Sequence, residues 1–296
     1  MRRSLLITCL LLMLSPISHG AQNCMPEGAS FPAAWFENYP PHRVIGPLYS
    51  VGGKDLSVFL ITTSDGHILI NTGMSDSTAQ IKANLDELGF NMADVKILLV
   101  QQSHFDHAAA LAEIKSMTGA ELWATEQDAP ILEDGGASDP HFGDCLDFRF
   151  APIKVDKTLQ QGSKISLGGV TLTTHLHPGH TEGSSSYTLT HEENGKTYNV
   201  VIANMGSINE GKQLLNEPTY PNVAADFANT FAAQLALPVD VWVAAHASQY
   251  KRDAKHQPGQ AYDAEAFVDP EGFRSAVSSL QGTYEWQLAV ERAEKN

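Results

Sequence analysis

The segment Gln101-Gln102-Ser103-His104-Phe105-Asp106-His107 follows directly on the apolar run Ile97-Leu98-Leu99-Val100. A short apolar run ending in two histidines and a carboxylate reads as a buried strand whose exit loop carries chemistry. Imidazole nitrogen and carboxylate oxygen are donors that zinc accepts, and a rigid strand end aims them together. Further histidines recur after later apolar runs: His180 in His175-Leu176-His177-Pro178-Gly179-His180-Thr181, and His246 after Val241-Trp242-Val243-Ala244-Ala245. Residues so far apart meet only if those strand ends share one edge of the fold.

The order of elements fits that demand. Residues 56–62 and 67–71 read as two strands joined by the turn Ser64-Asp65-Gly66. Residues 76–88 change to helical spacing, with Ala79, Ile81, Leu85 and Leu88 on one face and Gly89 as the stop. A strand at 97–100 and a helix at 108–117 follow. The second half carries strands at 170–175, 185–190 and 198–203, a helix at about 222–235 and a last strand at 239–245. A final amphipathic helix begins near Glu271 and buries Phe273, Val277, Leu280, Tyr284 and Leu288. Two sheet-bearing halves with interleaved helices predict an α/β fold, an αββα sandwich whose sheets pack face to face beneath outer helices.

Charge and leader narrow the function. Arg2 and Arg3, the apolar run from Leu5 to Leu14 and the small residues before Ala21 read as a secretory signal peptide over residues 1–20. Residues 21–296 are then one exported domain, periplasmic or secreted, with no membrane span. The formal charge of −15 becomes more negative by two when the leader's arginines leave, so no Lys and Arg cluster is present to bind a phosphate backbone, and nucleic-acid chemistry is excluded. The two cysteines left, Cys24 and Cys145, either pair or stand as separate thiols. A monomer is expected.

Of the 12 histidines, His19 leaves with the leader, and His42, His67, His191 and His256 lack supporting clusters. His175 and His177 precede a Pro-Gly turn that projects His180 instead. His141, in the loop 135–144, is a candidate wall of the pocket.

The cluster His-x-Asp-His, the later Gly-His and the terminal strand histidine together resemble the metallo-β-lactamase superfamily over nearly the whole of the exported chain. The segments Val44-Ile45-Gly46-Pro47-Leu48-Tyr49-Ser50-Val51-Gly52-Gly53, Gly66-His67-Ile68-Leu69-Ile70-Asn71-Thr72-Gly73 and His177-Pro178-Gly179-His180-Thr181-Glu182-Gly183-Ser184 resemble its subclass B3. The resemblance implies two zinc sites. The first would be Gln102, His104 and His180, where the family usually has three histidines and a GOB-like branch is similar in carrying Gln. The second would be Asp106, His107 and His246. A neutral amide oxygen is a poorer donor than imidazole, so the second site should bind zinc more tightly, with one or two ions per chain. Glyoxalase-like and phosphodiesterase-like members place a bridging Asp after the strand corresponding to residues 200–203; here the sequence is Asn204-Met205-Gly206-Ser207.

The activity implied is zinc-dependent hydrolysis of the β-lactam amide bond of penicillins, cephalosporins and carbapenems, conferring antibiotic resistance. Zinc lowers the pKa of water to about 7, so no protein nucleophile is needed. Asp106 is the expected catalytic carboxylate, orienting the attacking water. Ser207, His141 and Tyr250 are expected substrate contacts. A lactone or thioester hydrolase of the same fold and a noncatalytic exported zinc-binding protein are the competing readings.

Overall fold

In the strand Val95–Leu99, Ile97 and Leu99 pack into one hydrophobic core and Leu98 into another. A strand turns successive side chains to opposite faces, so apolar residues on both faces mean that it is covered on both sides. The same division recurs in Phe59–Thr63, where Phe59 and Ile61 oppose Leu60, and in Gly66–Ile70, where Ile68 and Ile70 oppose Leu69. This is a sheet between two layers.

The computed structural model describes residues 21–295, and the leader predicted over residues 1–20 lies outside the described residues. In chain order the strands are β1 (His42–Ile45), β2 (Leu48–Ser50), β3 (Phe59–Thr63), β4 (Gly66–Ile70), β5 (Val95–Leu99), β6 (Glu121–Thr125), β7 (Lys157–Leu159), β8 (Lys164–Leu167), β9 (Val170–Leu176), β10 (Ser185–Glu193), β11 (Lys196–Ala203) and β12 (Val241–Ala244). The helices are α1 (Thr78–Glu87), α2 (Phe105–Ala108), α3 (Leu111–Thr118), α4 (Ala129–Glu133), α5 (Val223–Leu235), α6 (Arg252–Lys255) and α7 (Pro270–Glu294).

Strands β1 to β7 form one sheet in sequence order, antiparallel as far as β4 and parallel from β4 to β7. The second sheet runs β12-β11-β10-β9-β8, antiparallel except for the parallel pair β11 and β12. Between the sheets, Ile61, Ile70 and Leu99 share a core with Leu172, Tyr187 and Ile202. Helices α1 and α3 cover the first sheet through Ile81, Leu85, Leu111 and Ile114. Helices α5 and α7 cover the second through Phe227, Phe231, Phe273 and Val277. The architecture is the expected αββα sandwich.

Helix α7 shows how the pattern was written. Phe273, Val277, Tyr284 and Leu288 are buried and Leu280 is half-buried, a stripe that follows the helical repeat. Pro270 sits in its first turn, and the Asp269 carboxylate accepts a hydrogen bond from the Gly272 N–H at 2.9 Å, capping the start. Burying each such side chain contributes roughly 1.5–3 kcal/mol. Phe273→Ala would remove the largest single share, roughly 3–5 kcal/mol.

Strands β1, β2, β6, β7 and β8 were absent from the expected order. They are three to five residues long and each carries polar or charged residues beside its apolar ones, so they form because a neighbouring ladder receives them. Cys24 and Cys145, left open by the sequence, are joined in a disulfide. It fastens the N-terminal segment to the loop before β7, where the Gln22 N–H donates to the Asp144 carbonyl at 2.9 Å and the Cys24 N–H to Asp147 Oδ2 at 2.7 Å. No helix among the described residues is long and apolar enough to cross a membrane.

Candidate metal centre

The loop after β5 is set by its base. Asn71, just past β4, adopts a left-handed φ of 64° and is locked to Gln101: its Nδ2 donates to Gln101 Oε1 at 2.8 Å, and its Oδ1 accepts the Gln101 N–H at 3.0 Å. Gln101 thus has a structural role. Beyond it the chain turns into the single turn of α2, which carries Asp106 and His107, with His104 at its N-cap position. The Thr72 N–H donates to the His107 carbonyl at 2.8 Å, tying this turn to the end of β4.

His180 arrives on a tighter device. Gly179 has φ 130°, and a Cβ there would stand 2.7 Å from the Phe227 ring, so only glycine fits before the histidine. Buried Asp128, which the sequence reading did not single out, fastens the loop: Thr181 Oγ1 donates to its Oδ2 and the Gly183 N–H to its Oδ1, both at 3.0 Å. Burial pushes the Asp128 carboxyl up to about 6.

His180 Nδ1 donates to the Ser207 carbonyl at 2.7 Å, and His104 Nε2 points at Asp139 Oδ2, 3.3 Å away. With those protons spoken for, His104 Nδ1 and His180 Nε2 face each other at 3.1 Å as two lone pairs. Such a pair repels unless a cation stands beside it. Burial, reinforced by His104, holds His180 down at about 3, so it is a neutral donor at physiological pH.

Asp106, His107 and His246 make the second group, their donor atoms all within 4.8 Å of one another. Asp106 Oδ2 lies 3.1 Å from His107 Nε2 and 3.4 Å from His246 Nε2. The His107 approach is too bent for a hydrogen bond, and neither ring nitrogen of this buried imidazole has a partner among the described residues. Unpartnered buried nitrogen is costly, and a metal ion removes that cost. His246 Nδ1 donates to Asp55 Oδ2 at 3.0 Å, which turns Nε2 inward. Burial would lower His246, but hydrogen bonds to Asp106 and Asp55 outweigh it and raise it to about 9. Burial likewise raises Asp106 and is outweighed by His107 and His246, which hold its carboxyl well below the usual range. Burial also keeps His107 neutral.

Gln102 is 3% exposed, and its Oε1 has no hydrogen-bond partner among the described residues. An unpaired buried amide oxygen next to these histidines fits a weak metal donor. Asp139 and Asp55, the carboxylates behind His104 and His246, were not singled out in sequence. Asp139 had a readable local signal: its Oδ1 accepts the His141 and Phe142 N–H groups at 2.8 and 2.7 Å, the Asx turn that Asp-Pro favours. Asp55 had none.

The expected substrate contacts divide. Ser207 and His141 are half-buried beside His180 and Asp139. Tyr250 is a correction: it is fully buried, packed against Trp242 and Phe267 in the core, because the turn after His246 folds it inward. His177 Nδ1 bonds Ser186 Oγ at 2.7 Å and His175 Nε2 bonds Thr188 Oγ1 at 2.8 Å, so both serve the sheet. His42 stacks on His256 with ring centroids 3.9 Å apart, away from the cluster.

Residues 51–192 match the family model described as the metallo-β-lactamase superfamily. Among solved structures, the chain is similar to a β-lactamase from Chitinophaga pinensis, at 41% identity and a TM-score of 0.85 over 90% of this chain and 100% of that one. It is similar to the class B3 di-zinc metallo-β-lactamase LRA-12 from an Alaskan soil metagenome, at 42% identity and a TM-score of 0.84 over 88% and 98% of the two chains. The metallo-β-lactamase GOB-18 from Elizabethkingia meningoseptica matches at 39% identity and a TM-score of 0.85 over 91% and 99%. With the strand-end cluster in place and relatives this near over most of its length, the chain belongs to the class B3 metallo-β-lactamases.

Proposed function

We propose that this protein hydrolyses the β-lactam amide bond of penicillins, cephalosporins and carbapenems with zinc, and so confers antibiotic resistance, acting as one exported domain over residues 21–296, periplasmic or secreted, and as a monomer. The observation that carries the reading is the meeting of Asp106, His107 and His246 within 4.8 Å in a class B3 chain. Those three residues would hold one ion, and Gln102, His104 and His180 the other. Zinc bound there supplies Lewis acidity and a nucleophile at neutral pH.

The residues do the rest. Asp106 is ionised and buried, with Oδ2 at the middle of the cluster, where it orients the attacking water and accepts its hydrogen bond. Asp55, Asp139 and the Ser207 carbonyl fix which nitrogen of His246, His104 and His180 faces inward, so these three rings need no reorganisation when substrate arrives. Ser207 and His141 stand where substrate would lie.

A serine route has one sequence match, Ser248-Gln249-Tyr250-Lys251. It forms a surface turn: Ser248 and Lys251 are exposed, the Ser248 N–H donates to Asp55 Oδ1 at 3.0 Å, and Lys251 has a left-handed φ of 53°. The helical turn that would face lysine to serine is absent there.

Hydrolysis of a small antibiotic panel with and without a chelator tests the reading. Chelator-sensitive opening of a penicillin or carbapenem supports it. Turnover of lactones or thioesters alone would replace it with the rival hydrolase, and tight zinc without turnover with a binding protein.

A further inference from the structure

Each half of the metal centre takes donors from both sheets. Gln102, His104, Asp106 and His107 follow β5 of the first sheet, whereas His180 stands between β9 and β10 and His246 follows β12 of the second. The contacts that close the two halves therefore cross from sheet to sheet: His104 to His180 at 3.1 Å and Asp106 to His246 at 3.4 Å. Their spacing depends on how one sheet lies across the other. Apolar packing between the sheets is non-directional, so a directional contact is needed to fix that relation at the metal-bearing edge.

Gln101 supplies it. The residue is fully buried and all of its hydrogen-bonding groups are engaged, with Asn71 on the side of the first sheet and with the second sheet on the other. Its Nε2 donates to the Ile202 carbonyl in β11 at 3.1 Å. Its own carbonyl accepts the Asn204 side-chain amide at 3.1 Å and the Ser185 N–H, at the start of β10, at 2.8 Å. The chain of bonds goes on. The Asn204 N–H donates to Ser186 Oγ at 2.9 Å, and Gln234 Nε2, on α5, donates to the Asn204 carbonyl at 2.7 Å. One buried residue thus ties together the roots of the loop bearing Gln102 and His107, of the loop bearing His180, and of the segment bearing Ser207. A buried polar network adds little net stability over an apolar core, but when satisfied it holds one arrangement rigidly.

We propose that Gln101 is a positioning residue for hydrolysis: by clasping the two sheets beneath the metal centre, it sets the spacing of His104 against His180 and of Asp106 against His246. The proposal rests on the zinc-hydrolase reading above. The Gln101 side chain bonds none of the metal donors and acts through the loops it anchors. A reacting group displaced by about 1 Å can cost on the order of 10²-fold in rate, so a small release of the clasp reads out in kcat.

The test sets Gln101→Met, which keeps the length of the side chain and removes its amide bonds, beside Val277→Ala, a control in the buried stripe of α7 that loses stability away from the metal centre. Co2+ added to metal-free protein reports the arrangement of the donors by its visible absorption, and penicillin turnover by the zinc-loaded protein reports the chemistry. For Gln101→Met the expected result is a changed cobalt spectrum, Co2+ bound about 10-fold more weakly, and kcat lower by about 10- to 100-fold with KM little changed. Val277→Ala should keep the wild-type spectrum and kcat at a lowered unfolding temperature. A folded Gln101→Met protein with the wild-type spectrum or kcat overturns the proposal, and so does a Val277→Ala control that shifts both as far. If Gln101→Met does not fold, Asn204→Ala, which removes the side-chain bond to the Gln101 carbonyl, is read against the same outcomes. Cobalt binding needs no turnover. If the protein hydrolyses no β-lactam, a spectrum changed in the clasp variant alone still supports the positioning role, and an unchanged one overturns it.

Discussion

The two halves of the metal centre are built from the same kind of strand-end imidazole, and they differ in charge and in how each imidazole is backed. Around Asp106, His107 and His246 there is a buried anionic carboxylate, and a second carboxylate, Asp55, behind His246. Around His104 and His180 no donor is a carboxylate, the backing is Asp139 on one ring and only the Ser207 carbonyl on the other, and the third position is an amide. A dication is held by charge more than by lone-pair count, so the Asp106, His107 and His246 group should fill before the Gln102, His104 and His180 group. The difference teaches that one binuclear cavity can hold two affinities by changing the charge of a single donor on each side.

The largest expected effect comes from removing the charge that distinguishes the two halves. Asp106→Asn keeps the shape but leaves His107 and His246 without an anion between them. Activity on a penicillin should fall by on the order of 10³, the scale of losing a principal electrostatic group, and bound zinc should drop with it. Retention of both full activity and full zinc content would remove Asp106 from its proposed place.

Zinc stoichiometry sharpens the contrast next. Titrating metal-free protein should bring activity close to its plateau with the first equivalent, the second binding at least about 10-fold more weakly. Gln102→His should narrow that gap by about 10- to 100-fold, read as the zinc-to-protein ratio after dialysis. Activity that appears only after two equivalents, or a Gln102→His protein with unchanged zinc content, would show that the asymmetry does not lie at Gln102. A smaller effect should come from the backing carboxylates. Asp55→Ala should weaken the first equivalent and Asp139→Ala the second, each by about 10-fold, and crossed assignments would dissolve the division into halves.

Much of this contrast was legible in the sequence because periodicity marks covered strands and because histidines at strand ends are few. The apolar runs at β4, β5, β11 and β12 announced themselves, and α7 displayed its buried stripe. Gln102 stood out against the family pattern. What stayed hidden depends on contacts far apart in the chain. Asp55 and Asp128 carry no local signature; they matter because they meet His246 and Thr181, 191 and 53 residues away. Tyr250 misled because an aromatic near a ligand reads the same whether its turn opens toward the pocket or closes into the core. The short strands β6 and β7 take their form from the ladder beside them rather than from their own residues.

The smallest predicted effect probes how each half's loop is tied down. The turn bearing His107 is fastened to Thr72 by a neutral bond, whereas the loop bearing His180 is fastened to Asp128, whose carboxyl is raised from 3.8 to about 6 by burial. A carboxyl raised by folding keeps its proton longer in the native state than in the unfolded chain. Its contribution to stability is therefore complete below about pH 4 and is lost as pH climbs toward 6. Each unit of such a displacement is worth about 1.4 kcal/mol, and the hydroxyl and amide donors are already reflected in the value reached, so the rise of about two units is worth on the order of 3 kcal/mol. Asp128→Asn stays neutral throughout and still accepts the Gly183 N–H. Urea unfolding of the metal-free proteins at pH 4 and pH 7 should therefore show the wild type losing about that much relative to the variant across the interval. Parallel behaviour of the two would mean that Asp128 is ionised in the native state across that interval, and the His180 loop would then be anchored by an anion, as the neighbouring half is at Asp106.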